Sequence, residues 1–167
     1  MQSRLFAAAA TVFAAVIVSA CGDTTPSATA PSQSPATSPA ASPAAAAATI
    51  MVATDAKLGT ILVDGSGKTV YLFVADKSTA STCYTSCATI WPPVLTTGAP
   101  VAGSGATASL LGTTTRTDGK VEVTYAGHPL YYFIQDKKAG DTTGQGIDGF
   151  GGLWWVLSPA GKAITIK

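Results

Sequence analysis

A single histidine and three cysteines in 167 residues leave this chain short of the usual bases, nucleophiles and metal ligands. Metal sites built on several histidines are excluded. A Ser–His–acid triad would have to centre on His128, and no Gly-x-Ser-x-Gly elbow accompanies it. Haem attachment needs Cys-x-x-Cys-His and dithiol exchange usually Cys-x-x-Cys, whereas the pair here is Cys83-x-x-x-Cys87. Gly67-Lys68-Thr69 imitates the end of a phosphate-binding loop, but Leu62 stands where its first glycine belongs and a strand pattern follows. Charge is scarce too, at 11% of residues, with ten basic against nine acidic. Nucleic-acid partners want a clustered basic face, and polybasic recruitment to a membrane needs the same surplus. Neither is present. Nothing in the composition asks for a cofactor.

Long apolar runs are also missing. The longest uncharged apolar stretch, Leu5 to Val18 after Arg4, falls short of the about 20 residues that a membrane helix needs. It suits the apolar region of an export signal over residues 1–20. Val18-Ser19-Ala20-Cys21 closes it and resembles a bacterial lipobox, in which Cys21 would take lipid and anchor the chain outside the cytoplasm. The rest of 21–48 is nearly all Ala, Pro, Ser and Thr with Asp23 its only charge. So little apolar side chain cannot offset the entropy of ordering, and recurrent proline makes the segment a stiff spacer, open to O-glycosylation.

What is abundant lies in 49–167, a stretch the size of one domain. Gly, Thr, Val and aromatics there favour strands and turns. Residues 67–77 read GKTVYLFVADK and 127–137 read GHPLYYFIQDK, repeating Tyr-x-Phe-x-x-Asp-Lys. The spacing predicts hairpins around 64–67, 126–129 and 158–162. In the repeated strands Tyr71 and Phe73 face one way and Val70, Leu72 and Val74 the other. Tyr131 and Phe133 against Leu130, Tyr132 and Ile134 copy that arrangement, so both strands are expected to be buried on two sides. Ser81–Trp91 lacks alternation and allows one short helix around 83–91 before Pro92-Pro93, and 97–109 reads as a surface loop. The expected fold is all-β, a small sandwich or irregular barrel of two related repeats, about 57–96 and 115–160.

With both copies in view, the chain resembles the bacterial predicted lipoproteins with a Yx(F/W/Y)xxD motif, also described as a secreted repeat of unknown function. The likeness extends through LGTILVDGSGKTVYLF, CYTSCATIWPPVL, TRTDGKVEVTYAGHPLYYF and the stretch from GDTTGQG to LWWVLSPAGKAI. It implies an exported, often lipid-anchored β-rich module and supplies no molecular role.

Each candidate residue carries two readings. Asp76 and Asp136 are turn carboxylates accepting local backbone N–H groups, or a pair brought together at a shared cation or ligand. Cys83 and Cys87 form a disulfide, the default in an oxidising compartment. That requires a distorted turn, since Cβ atoms four apart on a helix lie about 5–6 Å apart and a bridge wants about 3.5–4.5 Å. Alternatively they are thiolates for Cu(I), with His128 as third ligand, making a copper or redox accessory protein. Ala88 stands where Sco-type copper chaperones place a proline, and a thioredoxin-like strand–helix alternation is missing. Trp91, Trp154 and Trp155 with Tyr71, Tyr131 and Tyr132 read mainly as core. The glycine-rich 144–152 is a simple turn or a lid that brings Phe150 and Trp154 to a pocket. The expected role is non-enzymatic, binding or structural, with a membrane and an envelope protein or small ligand as partners.

Overall fold

The structure, a computed structural model, describes residues 47–166. The signal segment, Cys21 and all of the tether but Ala47 and Ala48 lie outside these residues. Strand β1 (Thr49–Asp55) and β2 (Gly59–Asp64) form a hairpin. Asp55 Oδ1 closes its turn by accepting the N–H groups of Lys57 and Leu58 at 2.8 and 2.7 Å. β3 (Tyr71–Phe73) is followed by a one-turn helix α1 (Ser86–Ile90), β4 (Val101–Ala102) and a 3₁₀ turn at Ala108–Leu110. The second half holds β5 (Leu111–Thr115), β6 (Val121–Tyr125), β7 (His128–Pro129), β8 (Asp148–Gly149) and β9 (Gly152–Val156). They make three small sheets, ordered β2-β1-β4, β3-β9-β8 and β5-β6-β7. The all-β expectation holds, and no barrel closes among the described residues.

The halves exchange strands. β3 of the first half pairs with β9 of the second, Tyr71 opposite Val156 and Phe73 opposite Trp154. Residues 131–134 pair in turn with the end of α1 and the stretch after it: Tyr132 N donates to Pro92 O at 2.8 Å and Ile134 N to Ile90 O at 3.0 Å. At the crossing, Tyr71 and Tyr131 exchange backbone bonds, N to O at 2.8 Å in one direction and 3.0 Å in the other. Two cores result, one on each side of these strands, which is the period-two consequence of a strand buried on both faces. Tyr71, Phe73, Tyr131 and Phe133 face an aromatic core. Val70, Leu72 and Leu130 face a mainly aliphatic one with Leu62, Val123 and Leu157, to which Tyr125 and Trp155 also belong.

Several expectations need correcting. Val74 and Ile134 are 39% and 42% exposed, because each chain turns out of its strand there: Asp76 N bonds back to Phe73 O and Asp136 N to Phe133 O, both at 3.1 Å. The second hairpin turn is only Ala126-Gly127, both at positive φ (50° and 82°), a two-residue connection whose twist suits the flanking strands. His128 and Pro129 therefore belong to β7, with Pro129 at a strand end where a missing N–H is tolerated. β1 is an additional strand ahead of the first repeat as read from sequence. The loop 97–109 contains β4, and the glycine-rich 144–152 contains β8 and the Phe150-Gly151 turn into β9.

Candidate functional site

The repeated Tyr-x-Phe-x-x-Asp-Lys motif builds two crossed clasps. Tyr71 Oη donates to Asp136 Oδ2 at 2.7 Å, and Tyr131 Oη donates to Asp76 Oδ2 at 2.6 Å. Each tyrosine thus reaches the aspartate of the other repeat. These are charge-assisted O–H···O⁻ lengths, and all four residues are buried. The second oxygen of each carboxylate is also taken. Asp76 Oδ1 accepts the N–H and hydroxyl of Thr82 at 2.8 and 2.6 Å, and Asp136 Oδ1 accepts both donors of Thr143. The motif lysines cap the exits, Lys77 Nζ on Val74 O at 2.8 Å and Lys137 Nζ on Ile134 O at 2.7 Å. Burial first, and then the neighbouring carboxylate, push the Tyr71 hydroxyl well above its ordinary range. Burial, then the charges and bonds of Glu122 and Asp76, do the same to Tyr131. Both phenols remain donors.

Between the clasps lie four stacked rings, in the order Phe73, Trp154, Trp91, Phe133. Successive centroids are 4.0, 4.0 and 4.3 Å apart. Tyr71 meets Trp91 edge-on at 5.4 Å and Tyr131 meets Trp154 edge-on at 5.2 Å. The whole set repeats about the Tyr71–Tyr131 crossing. Aromatic contacts of this kind add about 0.5–1.5 kcal/mol each beyond area burial.

The halves differ around this shared frame. Cys83 and Cys87 are joined in a disulfide, Cα atoms 5.2 Å apart. The helix starts only at Ser86, and Thr85 adopts φ 51° between the cysteines, the distorted turn that the spacing demanded. With both sulfurs in the bridge neither is a thiolate ligand, and among the described residues no three His, Cys, Asp or Glu side chains group to hold a metal. His128 lines a shallow depression of about 230 Å³ with Phe73, Asp76 and Lys162, to which neither cysteine contributes. The thiolate reading with His128 is therefore set aside. In the second half Gly144 follows Thr143 as Cys83 follows Thr82, and its N–H donates to Tyr71 Oη at 3.2 Å. Trp154 belongs to the ring stack rather than to a pocket, and Phe150 sits 49% exposed at a hairpin tip.

A buried polar chain leads from one clasp and escaped the sequence reading. Ser81 Oγ lies 2.7 Å from Tyr131 Oη and accepts from Arg116 Nη1 at 2.7 Å. Arg116 also donates to Glu122 Oε2 at 2.7 Å and, through Nη2, to Cys83 O at 2.6 Å. Arg116 lies over the Tyr84 ring at 4.4 Å. Arg116 Nε and Glu122 Oε1 are buried without a hydrogen-bond partner. Burial pushes the Glu122 carboxyl up to about 7 despite the guanidinium beside it. Val121-Glu122-Val123 alternates like a strand with one wet face, so its pattern places Glu122 outside. The only pointer inward is register: Glu122 occupies the place that Ile61 holds in the first half, where Ile61 is likewise buried.

Chemically, the motif is saturated. Its two carboxylates each accept from a different tyrosine and a different threonine. The family described as a secreted repeat of unknown function matches twice, over residues 52–95 and 112–158, one match to each interleaved half. No curated protein and no solved structure matches the chain.

Proposed function

The chain belongs to this family of secreted repeats of unknown function, and from that premise we propose an envelope module anchored by lipid on Cys21 that works by binding or bracing rather than by catalysis. The observation that carries the second half of this reading is the saturation of the motif. Asp76 and Asp136, the acids with which the two repeats could attack a substrate or grip a cation, already accept three donors each from inside the fold. Their role is to lock the repeats together, leaving edges and loops to meet partners. The anchoring half rests on Val18-Ser19-Ala20-Cys21 and on the proline-spaced run behind it, which would hold the body off a surface.

Two experiments test these halves separately. Intact-mass analysis of the exported protein should find residues 1–20 removed and a diacylglyceryl-sized increment on Cys21, absent in Cys21→Ala; an unmodified mature terminus would remove the anchor. A deletion strain's envelope phenotype should be rescued by any Asp76→Asn chain that stays folded at the growth temperature. Failure of a well-folded Asp76→Asn chain to rescue would point to chemistry at that carboxylate.

A further inference from the structure

The fold contains one filled and one open copy of the same strand edge. Leu62 N donates to Leu157 O at 2.9 Å and Leu62 O accepts from Val70 at 3.3 Å; Val123 N donates to Val94 O at 2.8 Å and Val123 O accepts from Leu130 at 3.0 Å. Leu62 and Val123 therefore correspond. Val52 stands opposite Leu62 and Thr113 opposite Val123, so Ile50 and Val52 of β1 match Leu111 and Thr113 of β5. The outer edge of β1 is covered by a parallel segment: Val101 N bonds Ala48 O at 2.8 Å, Gly103 N bonds Ile50 O at 2.7 Å, and Val52 N bonds Ser104 O at 2.9 Å.

On β5 the corresponding groups are uncovered. Ala126 N bonds Leu110 O and Arg116 N bonds Lys120 O. By the alternation of an antiparallel ladder, Leu111, Thr113 and Thr115 then turn their N–H and C=O groups away from β6. Among the described residues nothing bonds the outward groups of Leu111 and Thr113, and Thr113 and Thr115 are exposed. The strand Leu111–Thr115 has no proline, charge or bulge, the devices that usually blunt an open edge.

The filled copy defines the chemistry of an occupant. Pro100 to Ser104 is uncharged and extended at Val101–Ala102, and Pro100 immediately precedes the donor Val101, so its missing N–H faces away from β1. A Cβ on Gly103 would fall 2.9 Å from Met51 Cβ; β5 carries Gly112 at the place of Met51, which leaves room for alanine or serine. Residues 31–43 of this same sequence have that character. Pro31, Pro35, Pro39 and Pro43 recur every fourth residue. In an extended strand every missing N–H would lie on one edge, while Ser34, Ala36, Ser38, Ala40 and Ser42 keep their donors on the other. Where the described residues begin, Ala48 N bonds Thr96 Oγ1 at 3.1 Å and Thr96 N bonds Val121 O at 3.0 Å, on the side of β6 away from β5.

We propose that the open edge of β5 binds the proline-spaced run 31–43 of a second copy of this chain, added as a parallel strand. Thr113 N–H donates to the incoming backbone and Leu111 C=O accepts from it, as Val52 and Ile50 do in the first half. The interaction stands whether or not Cys21 carries lipid.

Amide exchange on the chain from residue 22 to 167 tests it. Raising protein concentration should slow exchange at Thr113 by on the order of tenfold. Ser34→Pro/Ser38→Pro/Ser42→Pro, which leaves no two neighbouring donors on the bonding edge, should abolish that slowing. Gln33→Pro/Thr37→Pro/Ala41→Pro adds as much proline on the opposite edge and should preserve it. Slowing that ignores concentration, or equal behaviour of the two triple variants, would overturn the proposal.

Discussion

At the scale of single residues, the motif tyrosines decide stability. Tyr71→Phe leaves Asp136 Oδ2 and the Gly144 N–H without their partner, and a stranded buried group of this kind costs about 1–3 kcal/mol. Tyr131→Phe should cost a similar amount, because its hydroxyl likewise serves two groups, Asp76 and Ser81. Urea denaturation with unchanged slopes would measure both; a Tyr71→Phe midpoint equal to that of wild type would remove the clasp as a source of stability. Glu122 supplies a pH signature. Its folded pKa, about 7, lies above the ordinary value for a glutamate carboxyl, so the folded state holds the proton more tightly. The stabilisation from the neutral carboxyl is complete below the unfolded value and is lost as pH rises through 7. Wild type should lose on the order of 2 kcal/mol through that window, and Glu122→Gln should be flat. Equal slopes in the two proteins would contradict the burial of Glu122. Nothing in Val-Glu-Val could reveal this site, since alternation shows which residues share a face and not whether that face is wet.

At the scale of elements, local patterns were legible and partners were not. β6, the Tyr-x-Phe strands and the turn after Asp64 follow directly from alternation and glycine placement. The pairing of β3 with β9 does not, because β3 reads as two-sided apolar and either half offers it a neighbour. Turn lengths misled where residue type and position compete, as at His128-Pro129, and the glycines of 144–152 concealed a hairpin. Gly144 shows why one of them is there. A Cβ at that position would come within 2.8 Å of Trp91 Cη2 and 2.9 Å of Tyr71 Cζ, so the strap carrying Thr143 to Asp136 passes directly over the ring stack. Gly144→Ala should destabilise by about 1–3 kcal/mol through overpacking, whereas Gly140→Ala, with open space around its Cβ position, should show only the milder strain of φ 78°. Thermal unfolding of the two variants side by side makes the comparison, and equal losses would contradict the close approach.

At the scale of the molecule, the two repeats form one interlocked body. Each contributes half of both clasps and half of the ring stack; the first lends β3 to the sheet of β8 and β9, and residues 131–134 of the second bond residues 90–92 of the first. The duplication in the sequence pointed to two related units; it did not show that they are interleaved, since a repeat looks the same whether its copies lie side by side or exchange strands. An isolated half would leave Trp91 or Trp154 without its stacking partner and one tyrosine hydroxyl without its carboxylate. The exposed connection around Gly105 offers a place to separate them. The decisive measurement is to express residues 47–105 and 106–166 as separate chains and record near-ultraviolet circular dichroism of each alone and of the equimolar mixture. Interlocking predicts no fixed aromatic signal from either piece and recovery of the intact protein's signal on mixing, whereas a native-like aromatic signal from either piece alone would contradict it.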